Sequence, residues 1–410
     1  MKLLRSRILI LAAATAIGAA ALATGTAQAT TATATSRVAA ADFYTPPSPL
    51  PAGADGDVIR HEPMNFYNGS QATAQRIMYL SRNTHGERIA VTGAILTPRS
   101  PWFGIGARPI IGYGVGTQGM GDQCAPSKIM GSFMEYEDTY LSGLLSRGYA
   151  IAVTDYEGLG TPGNHTYVNR ASEAYALLNV VRAAQRLPAA DLPDAGPVAT
   201  FGYSQGGGAS AAAVELAASY APELKIKGGY AGAPPAELKA VGRSLDGHYA
   251  AAFLGYAVIS LDTAYPELGI PALLNERGTQ LFAEVAKECI AESLAKHAFT
   301  RSETLTKDGR PVTAYMDEEP FNSRVNEQRI GLRKPAVPTL VLHSSGDDIV
   351  PYEQGRQMAR DWCARGATVQ FTTLSTATHV GAIPETANHV FPWLEQRFAG
   401  IPAGGNCGRF

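Results

Sequence analysis

Pro197-Val198-Ala199-Thr200-Phe201-Gly202-Tyr203-Ser204-Gln205-Gly206 passes from an apolar run into Gly-x-Ser-x-Gly. A helix-prone run follows, Ala209-Ser210-Ala211-Ala212-Ala213-Val214-Glu215-Leu216. Strand, tight turn and helix in that order form a nucleophile elbow: small residues on both sides of the serine let the backbone turn sharply and leave its hydroxyl exposed. A pentapeptide this short also arises by chance, so its flanks and the residues downstream decide its meaning.

Outward from the elbow, strand and helix patterns alternate after about residue 70, which predicts an α/β fold with a mostly parallel central sheet. Arg76–Ser81 and Ile89–Leu96 read as an antiparallel pair across the polar turn Asn83–Gly86. Pro109–Tyr113 and Tyr149–Thr154 read as buried strands, Ser172–Leu187 as a helix, and Ile226–Gly232 as the strand after the elbow helix. From about 235 to 332 the alternation stops and helical periodicity takes over, as in Gly278–His297 with Phe282, Val285, Ala286 and Cys289 on one face. Strand pattern resumes at Pro338–His343 and Val369–Thr372. A helical cap inserted into a continuous sheet accounts for this break.

A serine hydroxyl is a weak nucleophile near neutral pH and needs a base that is itself oriented by a carboxylate. On this architecture the chain order is serine, acid, histidine. Strand Leu340–His343 leads into Ser344-Ser345-Gly346-Asp347-Asp348, so the acid is Asp347 or Asp348, and Asp347 is preferred as the first past Gly346. Strand Val369–Thr372 leads into Thr378-His379-Val380-Gly381. Of the eight histidines, only His379 lies in the loop directly after the final strand; His343, inside the preceding strand, His389, on the terminal helix, and the other five read as packed or surface residues. An oxyanion hole takes one backbone N–H from Gln205, in the first turn of the elbow helix, and one from Thr117 or Gln118 in the loop Gly116–Gly119. Such a site uses no metal and no cofactor, and none is expected.

Lys2, Arg5 and Arg7 precede an apolar stretch, Ile8–Ala23, and Ala27-Gln28-Ala29 offers a small-x-small cleavage site. Residues 1–29 therefore read as a signal peptide cleaved near Ala29, which makes the protein secreted with no stable membrane insertion. Residues 30–55, rich in Thr, Ala and Pro, read as an exposed leader, and 56–410 as the catalytic domain. In an oxidising compartment Cys124, Cys289, Cys363 and Cys407 allow three disulfide pairings. A net charge of −2 without basic blocks excludes nucleic acid as a partner, and nothing in the sequence specifies an oligomer.

With these residues assembled, the chain resembles the secretory lipase family, the lipase-A-like branch of the α/β-hydrolases, as a bacterial member. The resemblance is carried by Asp42–Pro47, Arg60–Met64, Asp122–Ser127, Thr154–Gly158, Gly202–Gly207, His343–Tyr352 and Thr378-His379. It implies the α/β-hydrolase fold with a helical cap, Ser204, Asp347 and His379 as triad, and disulfides Cys124–Cys289 and Cys363–Cys407. Its fungal members carry an acidic residue near the position of Gln118, and a long C-terminal flap is not expected after Cys407. The implied activity is carboxylester hydrolysis on a lipid or short-chain ester. Acyl transfer to an alcohol through the same triad, or a non-catalytic binding protein on the same fold, are the rival readings. Phe253, Leu254, Tyr256, Val258 and Ile259 are candidates for an acyl channel or for the packing of the cap itself.

Overall fold

A computed structural model describes residues 42–132 and 136–410. The expected signal peptide and the start of the leader lie outside the described residues. Nine strands form one sheet: β1 (Val58–Pro63), β2 (Ala72–Arg82), β3 (Arg88–Pro98), β4 (Ile110–Gly114), β5 (Ala150–Thr154), β6 (Pro197–Tyr203), β7 (Lys225–Gly232), β8 (Thr339–Gly346) and β9 (Val369–Ala377). Their spatial order is β1-β2-β3-β5-β4-β6-β7-β8-β9. The first three strands and the β3–β5 contact are antiparallel, and every later pairing is parallel. Parallel strands joined by helices are covered on both faces, which is why β4 and β5 are buried along their whole length.

Adjacent residues of β4 show the two layers. A side chain on Gly112 would meet Val181 of the helix Arg170–Arg186. The next residue, Tyr113, faces the other way and stacks on Phe201, whose ring meets Tyr140 of the helix Asp138–Ser146 edge-on. On the first side Glu215 of the elbow helix (Gln205–Tyr220) is fully buried, and three elements hold its carboxylate. Arg170 pairs with it, and Trp362 Nε1 and the Gly331 amide each donate to it at 2.8 Å. A buried carboxylate needs such compensation for the water it has lost.

Between β7 and β8 the chain is helical, and this segment has an apolar core of its own that includes Leu245, Phe253, Tyr256 and Ile259. That core also contains Met120, Tyr167, Ile349 and Val350, which follow β4, β5 and β8. The insertion is thus packed onto loops at the carboxyl edge of the sheet. Gly278–His297, expected as one helical run, is two helices, Glu276–Val285 and Ile290–His297. The break falls where Cys289 pairs with Gly119 and the Met120 amide donates to the Glu288 carbonyl at 2.9 Å, contacts that helical periodicity does not encode.

Within the described part of the leader, one residue departs from the expected exposure. Tyr44 is buried, its hydroxyl 2.9 Å from Ser127 Oγ and its ring beneath the Lys128 ammonium, while Asp55 pairs with Arg82. Disulfides join Cys124 to Cys289 and Cys363 to Cys407. The first ties the loop after β4 to the insertion across 165 residues of sequence. Replacing Cys124 and Cys289 by alanine is expected to cost about 2–4 kcal/mol of stability, since it frees the unfolded chain. A melting temperature unchanged in the double variant would contradict this.

Candidate active site

Ser204 is the residue between β6 and the elbow helix, and it sits at φ 59°, ψ −126°. A non-glycine residue at positive φ carries roughly 1–3 kcal/mol of strain, so its surroundings must impose it. The Ser204 amide donates to the Gly232 carbonyl at 2.9 Å, and its carbonyl accepts from Gly208 at 3.0 Å. A side chain at Gly206 would drive into the Gly114 carbonyl, and one at Gly202 into the Gly206 carbonyl. The glycines of the motif are therefore required by close backbone approach. Strain of this kind recurs along the same edge: Tyr156, Ala233 and Thr378, also at positive φ, follow β5, β7 and β9 within one or two residues.

Asp347 and His379 meet at the ends of β8 and β9. His379 Nδ1 lies 2.7 Å from Asp347 Oδ2. A carboxylate only accepts, so Nδ1 carries the proton and Nε2 is left with its lone pair, the tautomer a general base requires. That Nε2 is buried and has no hydrogen-bond partner among the described residues. The imidazole lies against the ring of Tyr203, the residue before Ser204, with centroids 5.0 Å apart, and the Tyr203 hydroxyl donates to the His379 carbonyl at 2.7 Å. The structure thus brings Asp347 and His379 together beside the elbow.

The two aspartates make different contacts with His379. Asp347 receives the imidazole, and its other oxygen accepts the amides of Ile349 and Val350 at 3.0 and 2.8 Å. Asp348 instead accepts the His379 backbone amide at 2.7 Å. His343, read from sequence as a packed residue, is fully buried, and its Nε2 is shared between the Val350 carbonyl at 3.0 Å and Asp347 at 3.3 Å. Burial would raise the pKa of Asp347, but the hydrogen bonds from His343 and His379 outweigh it and hold the carboxyl well below the usual range. Its charge therefore stabilises the fold above the ordinary carboxylate pKa, and this contribution is lost as pH falls through the depressed native value.

The loop after β4 is held from several sides. The Gly116 amide donates to Glu137 at 2.9 Å, Tyr136 donates to the Thr117 carbonyl at 3.3 Å, and Thr117 Oγ1 lies 2.8 Å from the Tyr167 hydroxyl. The Gln118 carbonyl accepts the Ile290 amide at 2.8 Å. In a trans peptide the amide points opposite to the carbonyl, so the Tyr136 bond directs the Gln118 N–H away from Tyr136. Thr117 and Gln118 are both buried.

Beneath Gln205 lies a polar group that the sequence did not single out. The Gln205 side chain donates through Nε2 to Glu173 at 2.7 Å and to His165 Nε2 at 2.9 Å, leaving its backbone N–H out of these contacts. His165 Nδ1 lies 2.9 Å from the Glu157 carbonyl and must carry the proton, which leaves Nε2 as acceptor. Burial lowers this imidazole to about 4 and pushes the Glu173 carboxyl up to about 8. Because the native pKa of Glu173 exceeds its ordinary 4.5, stability present below that value is lost as pH rises towards 8. Glu173→Gln keeps an acceptor for Gln205 and for the Val168 amide. It is expected to add unfolding free energy by an amount that grows from pH 5 to 8, with a slope of at most roughly 1.4 kcal/mol per pH unit. Melting curves across that range test it, and a pH-independent difference would contradict the assignment.

A narrow apolar cavity opens on Ser204 and Gln205. Phe253, Leu254 and Val258 line it, along with Ile349 and Val350, whereas Tyr256 and Ile259 are buried in the insertion's own packing. Among the described residues no cluster of three His, Cys, Asp or Glu could hold a metal ion, and no helix is long and apolar enough to cross a membrane.

A mostly parallel sheet with a strained serine between β6 and its helix, and an acid and a histidine at the ends of the last two strands, defines an α/β-hydrolase. The sequence matches the secretory lipase family over residues 124–406, and the chain belongs to that family. It is 29% identical to lipase A of Moesziomyces aphidis, over 83% of this chain and 76% of the relative. It is 28% identical to a Mycobacterium tuberculosis protein named a probable inactive lipase, over 88% of this chain and 82% of that one. The closed-state structure of Candida antarctica lipase A superposes with a TM-score of 0.79 at 25% identity, over 90% of this chain and 87% of that structure.

Proposed function

We propose that the protein is a secreted serine carboxylester hydrolase that works through an acyl-enzyme on Ser204. His379 Nε2 takes the Ser204 proton as the oxygen attacks the ester carbonyl, and Asp347 stabilises the imidazolium that forms. The amide of Gln205 and that of Thr117 or Gln118 hold the oxyanion. His379 then protonates the leaving alcohol, water attacks the acyl-enzyme, and the acid is released. The helical insertion acts as a cap, and the cavity beneath it takes the acyl group of a lipid or simpler ester. Export rests on the N-terminal signal sequence and on the two disulfides.

One observation carries this reading: a buried histidine whose Nδ1 is fixed by a carboxylate and whose Nε2 has no hydrogen-bond partner among the described residues, packed against the residue before Ser204. The name of the mycobacterial relative favours a second reading, a hydrolase fold without turnover. A fluorophosphonate probe separates the two. Covalent labelling of Ser204 together with p-nitrophenyl ester hydrolysis is expected, and a protein that shows neither is the inactive form. Product analysis with added alcohol distinguishes hydrolysis from acyl transfer.

A further inference from the structure

Asp348 makes a bridge that the reaction above does not use. Its Oδ1 accepts the backbone amide of His379 at 2.7 Å, and its Oδ2 accepts the hydroxyl of Tyr249 at 2.8 Å. Tyr249 belongs to the insertion, three residues before the helix Ala252–Ala264. Phe253, Leu254, Ala257, Val258 and Leu261 of that helix form a wall of the cavity at Ser204. Tyr249 follows a turn tied to the segment after the helix Ile290–His297: the Gly247 amide donates to the Thr300 carbonyl at 3.0 Å, and the His248 carbonyl accepts from Phe299 at 2.9 Å. The other side of the cavity is reached through the same loop, because Ile349 and Val350 follow Asp348 directly and line it. One exposed carboxylate therefore joins the wall of the acyl cavity to the backbone of the general base.

Building on the proposed esterase chemistry, we infer that Asp348 and Tyr249 are positioning residues that hold the acyl-cavity wall in register with His379, and so make turnover depend on acyl length. Asp348 has two separable duties. Its bond to His379 sets the height of the imidazole whatever the substrate. Its bond to Tyr249 matters in proportion to how much of the cavity the acyl group fills, since only a long chain leans on the helix that Tyr249 anchors. A single solvent-exposed hydrogen bond limits each effect to roughly tenfold or less.

Steady-state hydrolysis of p-nitrophenyl acetate and p-nitrophenyl dodecanoate by wild type, Tyr249→Phe, Asp348→Ala and Asp348→Asn tests this. Tyr249→Phe is expected to lose about twofold in kcat/KM on the acetate and about tenfold on the dodecanoate, mostly through KM. Asp348→Ala should lose about tenfold in kcat on both esters. Asp348→Asn, whose Oδ1 still accepts from His379 and whose Nδ2 can donate to Tyr249, should return the acetate rate to within about threefold of wild type. Equal losses on both esters in Tyr249→Phe, or no rescue by asparagine, would overturn the inference while wild-type turnover left the hydrolase reading intact. A wild-type protein that neither turns over these esters nor takes a fluorophosphonate overturns both.

Discussion

Ser204→Ala is expected to lower kcat for ester hydrolysis by at least about a thousandfold and to leave the melting temperature within a few degrees of wild type. Removing the nucleophile of a serine–histidine–acid site typically costs about as much as removing the whole triad, and the remainder comes from the oxyanion donors and substrate binding. The stability expectation follows from the backbone. Residue 204 sits at φ 59° because β6, the elbow helix and the Gly232 carbonyl hold it there, and alanine meets the same strain as serine. Rates on a soluble ester, with a melting curve of each protein, give the comparison. If the alanine variant keeps more than a few per cent of wild-type kcat, the hydrolysis proceeds somewhere other than this elbow.

Asp347→Asn is expected to cost on the order of a thousand- to ten-thousandfold in kcat, against tenfold or less for Asp348→Asn. An asparagine opposite His379 Nδ1 offers either a donor or an uncharged acceptor. The first turns the imidazole into the wrong tautomer, and the second withdraws the charge that stabilises its cation. His343 sharpens the contrast. It also donates to Asp347 Oδ2, while Oδ1 accepts the Ile349 and Val350 amides, so an asparagine whose oxygen stays on those two amides keeps its place and the loss reads out chemistry rather than displacement. At Asp348 the contact is with a backbone amide, which an asparagine oxygen accepts nearly as well as a carboxylate. The two variants measured side by side on one ester decide the matter. A larger loss at 348 than at 347 would reverse the assignment of the acid.

The two predictions rest on different kinds of legibility. The elbow is local: Gly202 and Gly206 are needed by contacts within a few residues and with the neighbouring strand β4, so a pentapeptide and its flanks suffice to find Ser204. The position of His379 after the last strand follows from chain order. The aspartates are different. They are adjacent, chemically identical and in one loop, and the sequence ranked them only by their distance from Gly346 and by family resemblance. Which one meets an imidazole depends on the path of a loop that folds back on its own oxygens, with the amides of Ile349 and Val350 turning Asp347 inward.

Alternation of strand and helix, its interruption from 235 to 332, and the serine–acid–histidine order all repeat at periods of two to four residues or follow from chain order. The sequence by itself therefore determined a mostly parallel sheet with a helical insertion and a serine elbow beside a late histidine. Only the tertiary structure decided what surrounds them. Cys289 meeting Gly119 splits a helix, Glu173 and His165 clamp Gln205, His343 shares Asp347, and Tyr249 reaches Asp348 from the insertion. Those partners lie far apart in the chain or point inward from separate elements. No local periodicity records them, because burial and hydrogen-bond pairing are properties of the packed molecule.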